Sequence, residues 1–300
     1  MTAQDVLTHV RAAGSGSSEV IHTLNGVTDE HEHYRVETTS AHVAAWSTKA
    51  VSFGAKDWSN DLRLALLAAL RELGASSRCL SGEVWDGLGR ILDLENALMY
   101  NIGLREFAPF MSGGLWFRRH GASFLSEREL AGGPVKAHYR YAAVAQPPAQ
   151  SAPTSSEGAS FSFRAERPSD VKTTWLAARE AVSALDGSID LSRGRLGLRV
   201  EGPRGLAAGS VKPLLDGIVS ALHVLPPEDV LTLPTLARWG LDGAEQLVSS
   251  GAAPLGPRPL IVLQGPDRPA WNPADDVFDE IVLTPNTAND RCLVEVYRLP

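Results

Sequence analysis

The sequence predicts a mixed α/β fold, of α+β character, made of two similar halves that each combine a mixed sheet with helices. Three observations carry this. The chain has 300 residues, more than the roughly 100–200 usual for one domain. Residues 146–160 (QPPAQSAPTSSEGAS) are rich in Pro, Ser and Ala, have no large apolar side chain to bury, and read as a linker. On either side of that stretch, strand-like and helix-like patterns follow in the same order.

In the first half, residues 1–145, alternation at 34–37 predicts a strand. Residues 57–73 then predict an amphipathic helix, with Leu62, Leu66, Leu70 and Leu73 on one stripe. A short helix opens at Asp93 and runs to 103, and strand alternation returns at 138–144.

In the second half, residues 161–300, a strand is expected at 161–166 and a helix at 169–185, with Ser169 as N-cap. A short helix follows at 212–223, with Pro213 at its first position and Asp216 in its first turn, and a strand closes the chain at 291–299. Tyr34 and Asp93 are 59 positions apart, and Phe161 and Asp216 are 55 apart; one loop absorbs the difference, since lengthening a loop costs little. An internal duplication, with the halves standing as a pseudo-dimer, accounts for this order; so does coincidence among common strand–helix successions. The second half also holds a proline-rich segment, 226–273, with a helix candidate at 242–249 and a strand candidate at 260–264. Its prolines exclude long helices, and it suits a rigid cover or a surface for a protein partner.

Composition narrows the function classes. Apolar residues make up 44% and charged residues 21%, the make-up of an ordinary globular chain. Cys79 and Cys292 are the only cysteines, so folding rests on an apolar core rather than a disulfide framework, and a cytoplasmic location is expected. Residues 1–15 carry Asp5 and Arg11 and no apolar run, so no secretory leader is expected, and no segment is apolar for long enough to span a bilayer. The net charge is −7, with 14 basic against 16 acidic residues in 1–145 and 14 against 18 in 161–300. Neither half is a basic module, so a grip on nucleic acid would need a local patch.

The sharpest motif is Asp93-Leu-Glu95-Asn96, two carboxylates and an amide at a helix start. Magnesium takes oxygen ligands in a near-octahedral shell, and carboxylates two apart on such a turn can face one point. Acidic and amide residues also cap free N–H groups there, which explains the same residues without a metal. Lys212-Pro-Leu-Leu-Asp216-Gly opens the corresponding helix of the second half, and Asp275-Asp276 precedes the apolar run at 281–283.

These residues resemble the RusA-like family of small dimeric Holliday-junction resolvases, whose motif is Lys-Pro-Asp-x-Asp-Asn opening a helix, then Asp-Asp before a strand. Lys212, Pro213 and Asp216 match the run, with Leu214 in place of the first Asp and Gly217 in place of the Asn. Asp275 and Asp276 match the later pair, while Asp93, Glu95 and Asn96 match the Asp-x-Asp-Asn core with Glu for the second Asp. The resemblance implies magnesium held by Asp93, Glu95, Asp216, Asp275 and Asp276, Lys212 as a catalytic electrostatic helper, and cleavage of branched or single-stranded DNA. The expected function is a divergent RusA-like protein acting on or near nucleic acid, as a magnesium-dependent endonuclease. The alternative, favoured by the incomplete motifs and the acidic charge, is a catalytically inactive binding or assembly module with a protein partner at 226–273.

Two aromatic–basic clusters are candidates for nucleic-acid contact: Trp46, Lys49, Lys56 and Trp58, and Lys172 with Trp175. Core tryptophans flanked by solvated lysines give the same pattern. His31 and His33, beside Asp29, Glu30 and Glu32, have strand spacing suited to zinc, but no third ligand of matching spacing follows, and a hydrated acidic turn explains them. Gly87-Leu-Gly89 lacks the third glycine of a dinucleotide-binding turn, and no phosphate-binding loop is found.

Overall fold

The computed structural model describes residues 6–10, 21–28, 31–52, 54–73, 79–86, 93–121, 129–147, 158–241, 243–249, 251–286 and 290–300. The chain forms two compact units, Met1–Pro148 with Asp279–Ile281, and Ala149–Phe278 with Val282–Pro300. Of the expected linker, 148–157 lie outside the described residues, and 158–160 already belong to a strand. Both units mix strands and helices, as expected.

The first unit holds β1 (Val6–Val10), β2 (Ile21–Thr28), β3 (His31–Thr38), β4 (His42–Ser47), α1 (Trp58–Glu72), β5 (Cys79–Asp86), β6 (Leu115–His120), the short pair β7 (Glu129–Leu130) and β8 (Gly133–Pro134), and β9 (Ala137–Val144). Across its sheet the order is β1-β2-β3-β4-β9-β5-β6. Neighbours are antiparallel except β5 and β6, which are parallel. Parallel neighbours need a long crossover, and this one includes the turns at Asn96–Tyr100 and Leu104–Phe110.

Helix α1 forms where the leucine stripe predicts it. The Asp57 carboxylate caps it by accepting the Ser59 N–H at 3.0 Å, and Leu62, Leu66 and Leu70 are buried beneath it. The sheet side of this core contributes Tyr139 and Tyr141, both fully buried with their hydroxyls bonded. Tyr139 Oη accepts the Val51 N–H at 2.8 Å, and Tyr141 donates to the Leu98 carbonyl at 2.9 Å.

The second unit holds β10 (Gly158–Arg164), α2 (Val171–Ser183), β11 (Leu196–Gly202), α3 (Val211–Ala221), α4 (Thr232–Arg238), α5 (Glu245–Ser249), the short pair β12 (Ile261–Leu263) and β13 (Pro269–Trp271), β14 (Phe278–Pro285, apart from 279–281, which belong to the first) and β15 (Arg291–Arg298). Its strands run in the order β14-β11-β15-β10, with β15 antiparallel to both β11 and β10.

The two orders correspond strand for strand. In each unit the strand before the long helix lies beside the last strand, then comes the strand after the helix, then the strand after the crossover: β4-β9-β5-β6 in the first, β10-β15-β11-β14 in the second. The counterpart of β10 is therefore β4 and not the expected strand at 34–37, which falls within β3, an addition to the shared pattern.

Several boundaries shift. The N-cap of α2 is Asp170, not Ser169, because its carboxylate accepts the Lys172 N–H. Helix α3 begins at Val211, so Pro213 is its third residue and Asp216 lies in its second turn. In the proline-rich segment, α5 and β12 lie within the expected helix and strand, Asp242 is outside the described residues, and α4 was not foreseen. Cys79 and Cys292 are buried and unbridged, and burial pushes both thiols up to about 12. Among the described residues, no helix is long and apolar enough to cross a membrane.

Candidate functional site

In the second unit, α3 presents Lys212 and Asp216 one turn apart, with Lys212 Nζ 3.1 Å from Asp216 Oδ1. The turn Asp275–Val277, which leads into β14, brings a third member: Asp275 Oδ2 lies 3.5 Å from the same ammonium. Asp275 is 5% exposed, so its charge is poorly hydrated and the nearby cation offsets part of that cost. Three of the expected site residues thus meet, although Asp275 is 63 positions from Lys212. Asp276 turns elsewhere and pairs with Arg258 at 3.7 Å.

Packing accounts for the residues at 214 and 217. Leu214 is fully buried in the core below α3. At Gly217 a Cβ would lie 2.7 Å from Thr174 Cβ on α2, so an Asn there would force the helices apart. Both positions face packed interior, and neither could offer a ligand.

In the first unit, Asn96 Nδ2 donates to Asp93 Oδ2, and the Asp93 carbonyl accepts the Ala97 N–H at 2.9 Å. The Asn101 N–H reaches back five residues to the Asn96 carbonyl at 2.9 Å, so the expected helix is a single wide turn, an arrangement frequent at functional sites. Glu95 is wholly buried, and its side chain makes no capping bond. Asp93 and Glu95 offer hard oxygen donors, which suit magnesium, manganese or calcium better than softer cations.

The expected nucleic-acid contacts are corrected in part. Trp46 is 8% exposed, stacked on His138 at 4.8 Å and covered by Leu130 and Val135, so it cannot receive a base. Lys49 pairs with Asp57 and lies 5.4 Å above the Trp58 ring, which stacks on His33 at 4.9 Å. Lys56 is exposed. Lys172 donates to the Trp239 carbonyl at 3.2 Å, and Trp175 is a core residue beside Trp271. Asp29 and Glu30 lie outside the described residues, as does Gly87–Gly89.

Sequence reasoning missed a row of rings across four strands of the first unit. Trp46 on β4 stacks on His138 of β9, Trp85 of β5 lies 4.7 Å from His138, and His120 of β6 stacks on Trp85 at 4.3 Å. The next row is charged. Glu83 lies 3.1 Å from His120 Nε2 and 3.6 Å from Arg140 Nη1. The His120 hydrogen bond, more than the charges of His120, Arg140 and Arg118, holds the Glu83 carboxyl below its ordinary value against the opposing effect of burial. Within the same unit Glu280 accepts from Trp116 Nε1 at 3.0 Å and pairs with Arg118 at 3.2 Å. The alternation Trp116, Arg118, His120 carried the signal; recognising it required the cross-strand register.

The chain matches no protein-family profile and no curated protein.

Proposed function

We propose that the chain is a divergent RusA-like protein that acts on or near nucleic acid, with the carboxylates Asp93 and Glu95 of the first unit and Asp216 and Asp275 of the second as ligands for magnesium-dependent phosphodiester cleavage. The observation that carries this reading is the meeting of Lys212, Asp216 and Asp275, the pieces of the motif that the resemblance groups in one site. When bound, a divalent cation supplies an activated water and offsets charge developing on phosphate. The chain's own part is electrostatic. Lys212, oriented by Asp216 and Asp275, offers an ammonium to a phosphate oxygen, and buried Glu95 keeps a carboxylate away from bulk water. The corresponding strand orders support two units descended from one, standing for the two subunits of the family's dimer. Two buried free cysteines accord with a cytoplasmic location.

Incubation with branched and single-stranded DNA in magnesium or manganese tests this. Cleavage should occur and be lost in Asp93→Asn and in Asp275→Asn; unchanged cleavage in the Asp93→Ala, Asp275→Ala double variant removes the assignment.

One observation favours a second reading. Lys212 already places a cation beside Asp216 and Asp275, so these carboxylates have charge compensation without a metal. On that reading the chain is an inactive binding or assembly module, with 226–273 as its protein-partner surface. Calorimetry with no heat of binding at millimolar magnesium, and no cleavage, selects it over the enzyme.

A further inference from the structure

Strand β10 ends the strand order of the second unit: it pairs with β15 on one side, and among the described residues no strand lies on the other. Its counterpart in the first unit is not left so. β4 has β9 on the side that corresponds to β15, and on its outer side it takes β3, antiparallel, over five residue pairs from Tyr34 with Ser47 to Thr38 with Val43. The pattern shared by the two units thus carries an antiparallel strand at this edge in one unit and lacks it in the other.

Sheet edges are ordinarily protected by a proline, an inward charge, a lysine or a bulge. β10 (GASFSFR) has none of these: its register with β15 runs unbroken through seven pairs, and its one charge, Arg164, stands at the end. Ala159, Phe161 and Phe163 are buried on the side where β10 packs against α2, and Ser160 and Arg164 are exposed on the other. The outward N–H and C=O groups of such a strand are a template for another strand.

The strand is also complementary to itself. A twofold axis through Phe161 matches all seven residues of β10 with those of a second copy, and keeps the buried side of one continuous with the buried side of the other. Ser160 then stands opposite Ser162, small Ala159 opposite large Phe163, and Arg164 opposite Gly158, so no like charges meet. The same axis brings two α2 helices over one joined sheet. From Thr173 onward, the α2 positions that reach solvent are Thr173, Leu176, Ala177, Glu180, Ala181 and Ser183, a single charge where the outer side of a surface helix is ordinarily rich in them. We infer that the chain forms a symmetric dimer in which β10 pairs antiparallel with β10 of a second copy, with α2 beside α2. A lone peptide strand would fill the edge but leave the helix face uncovered, which favours a second copy as the occupant. The pairing uses none of the carboxylates named above, so it stands or falls apart from the metal reading.

Sedimentation equilibrium of the full chain should give twice the chain mass of 32.1 kDa. The register is read with single cysteines. Ser160→Cys and Ser162→Cys, mixed and oxidised, place their thiols directly opposite each other, at a residue spacing of about 4.5–5.5 Å that a disulfide can bridge. Either variant alone places them on the diagonal, roughly 7–8 Å apart, so the mixture should cross-link about tenfold faster than either one. The native thiols of Cys79 and Cys292 are buried and stay out of the reaction. A chain still monomeric at roughly 1 mM, where even a millimolar Kd would show, overturns the inference. So does a dimer whose mixed variants cross-link no faster than the single ones, and so does a monomeric chain that takes up the synthetic peptide GASFSFR, which would make the occupant of the edge a foreign strand. The mass of the unmodified chain decides the matter even if a cysteine variant fails to fold.

Discussion

Arg179 on α2 donates from Nη1 to the carbonyl of Ala221, the last residue of α3, at 3.0 Å. The same guanidinium reaches the Ala252 carbonyl at 2.6 Å and the Leu247 carbonyl at 2.7 Å, so one fully buried cation ties α2, the end of α3 and the segment around α5 together. Desolvation lowers its pKa to about 10, and the group stays charged at neutral pH. Arg179→Met would leave buried carbonyls unpaired and should lower stability by about 3 kcal/mol or more. Urea denaturation measures this; a loss below about 1 kcal/mol would mean that water replaces the guanidinium.

Gly217→Ala sets two effects against each other. Alanine is favoured over glycine inside a helix by about 1 kcal/mol. Its Cβ, however, would lie 2.7 Å from Thr174 Cβ and Cγ2 and 3.0 Å from the Trp175 nitrogen. Overpacking of this kind costs about 1–3 kcal/mol, so a net loss is expected. A thermal midpoint that rises would show that α2 and α3 separate freely.

Acidification should weaken the fold through His223. Its ring titrates near 6.5 when unfolded and, pushed down chiefly by burial, at about 4 in the fold. Above pH 6.5 the ring is neutral in both states and costs nothing. As the pH falls from 6.5 towards 4 the unfolded chain binds the proton first, and stability drops by up to about 3 kcal/mol. His223→Gln should flatten that part of the stability–pH curve, and a curve of unchanged slope would refute the burial argument.

The bond from His120 holds the Glu83 carboxyl low. A depressed carboxylate stabilises the fold above its unfolded value and loses that contribution as the pH falls through the folded one. In His120→Phe, where the ring stack on Trp85 can persist, the Glu83 midpoint followed by carbon NMR should move up. No movement would assign the shift to Arg140 and Arg118 instead.

Elements whose cause is local were legible in the chain. The leucine stripe and Asp57 define α1 within a residue at each end, because helix periodicity and capping act over one turn. The alternation at 138–144 likewise marks β9. Helix α4 escaped because seven residues with Pro234 inside make little periodic signal. The strand equivalent to β10 was misplaced because β3 alternates, whereas β4 is buried almost throughout and shows no alternation. At the site, Lys212, Asp216 and Asp275 do lie together, whereas for Trp46 a base-stacking ring and a core ring both fit the sequence, since nothing local tells that Leu130 and Val135 cover it.

The sequence alone determined the α/β character, the long helices and the residues able to carry charge, since propensity, capping and side-chain chemistry belong to short stretches. Tertiary structure decided which groups meet: that Asp275 comes to Lys212 while its neighbour Asp276 goes to Arg258, and that His223 gives Nδ1 to the Gly256 carbonyl. Those pairings follow from packing between elements distant along the chain, where burial removes water and makes the nearest opposite charge or donor the one that counts.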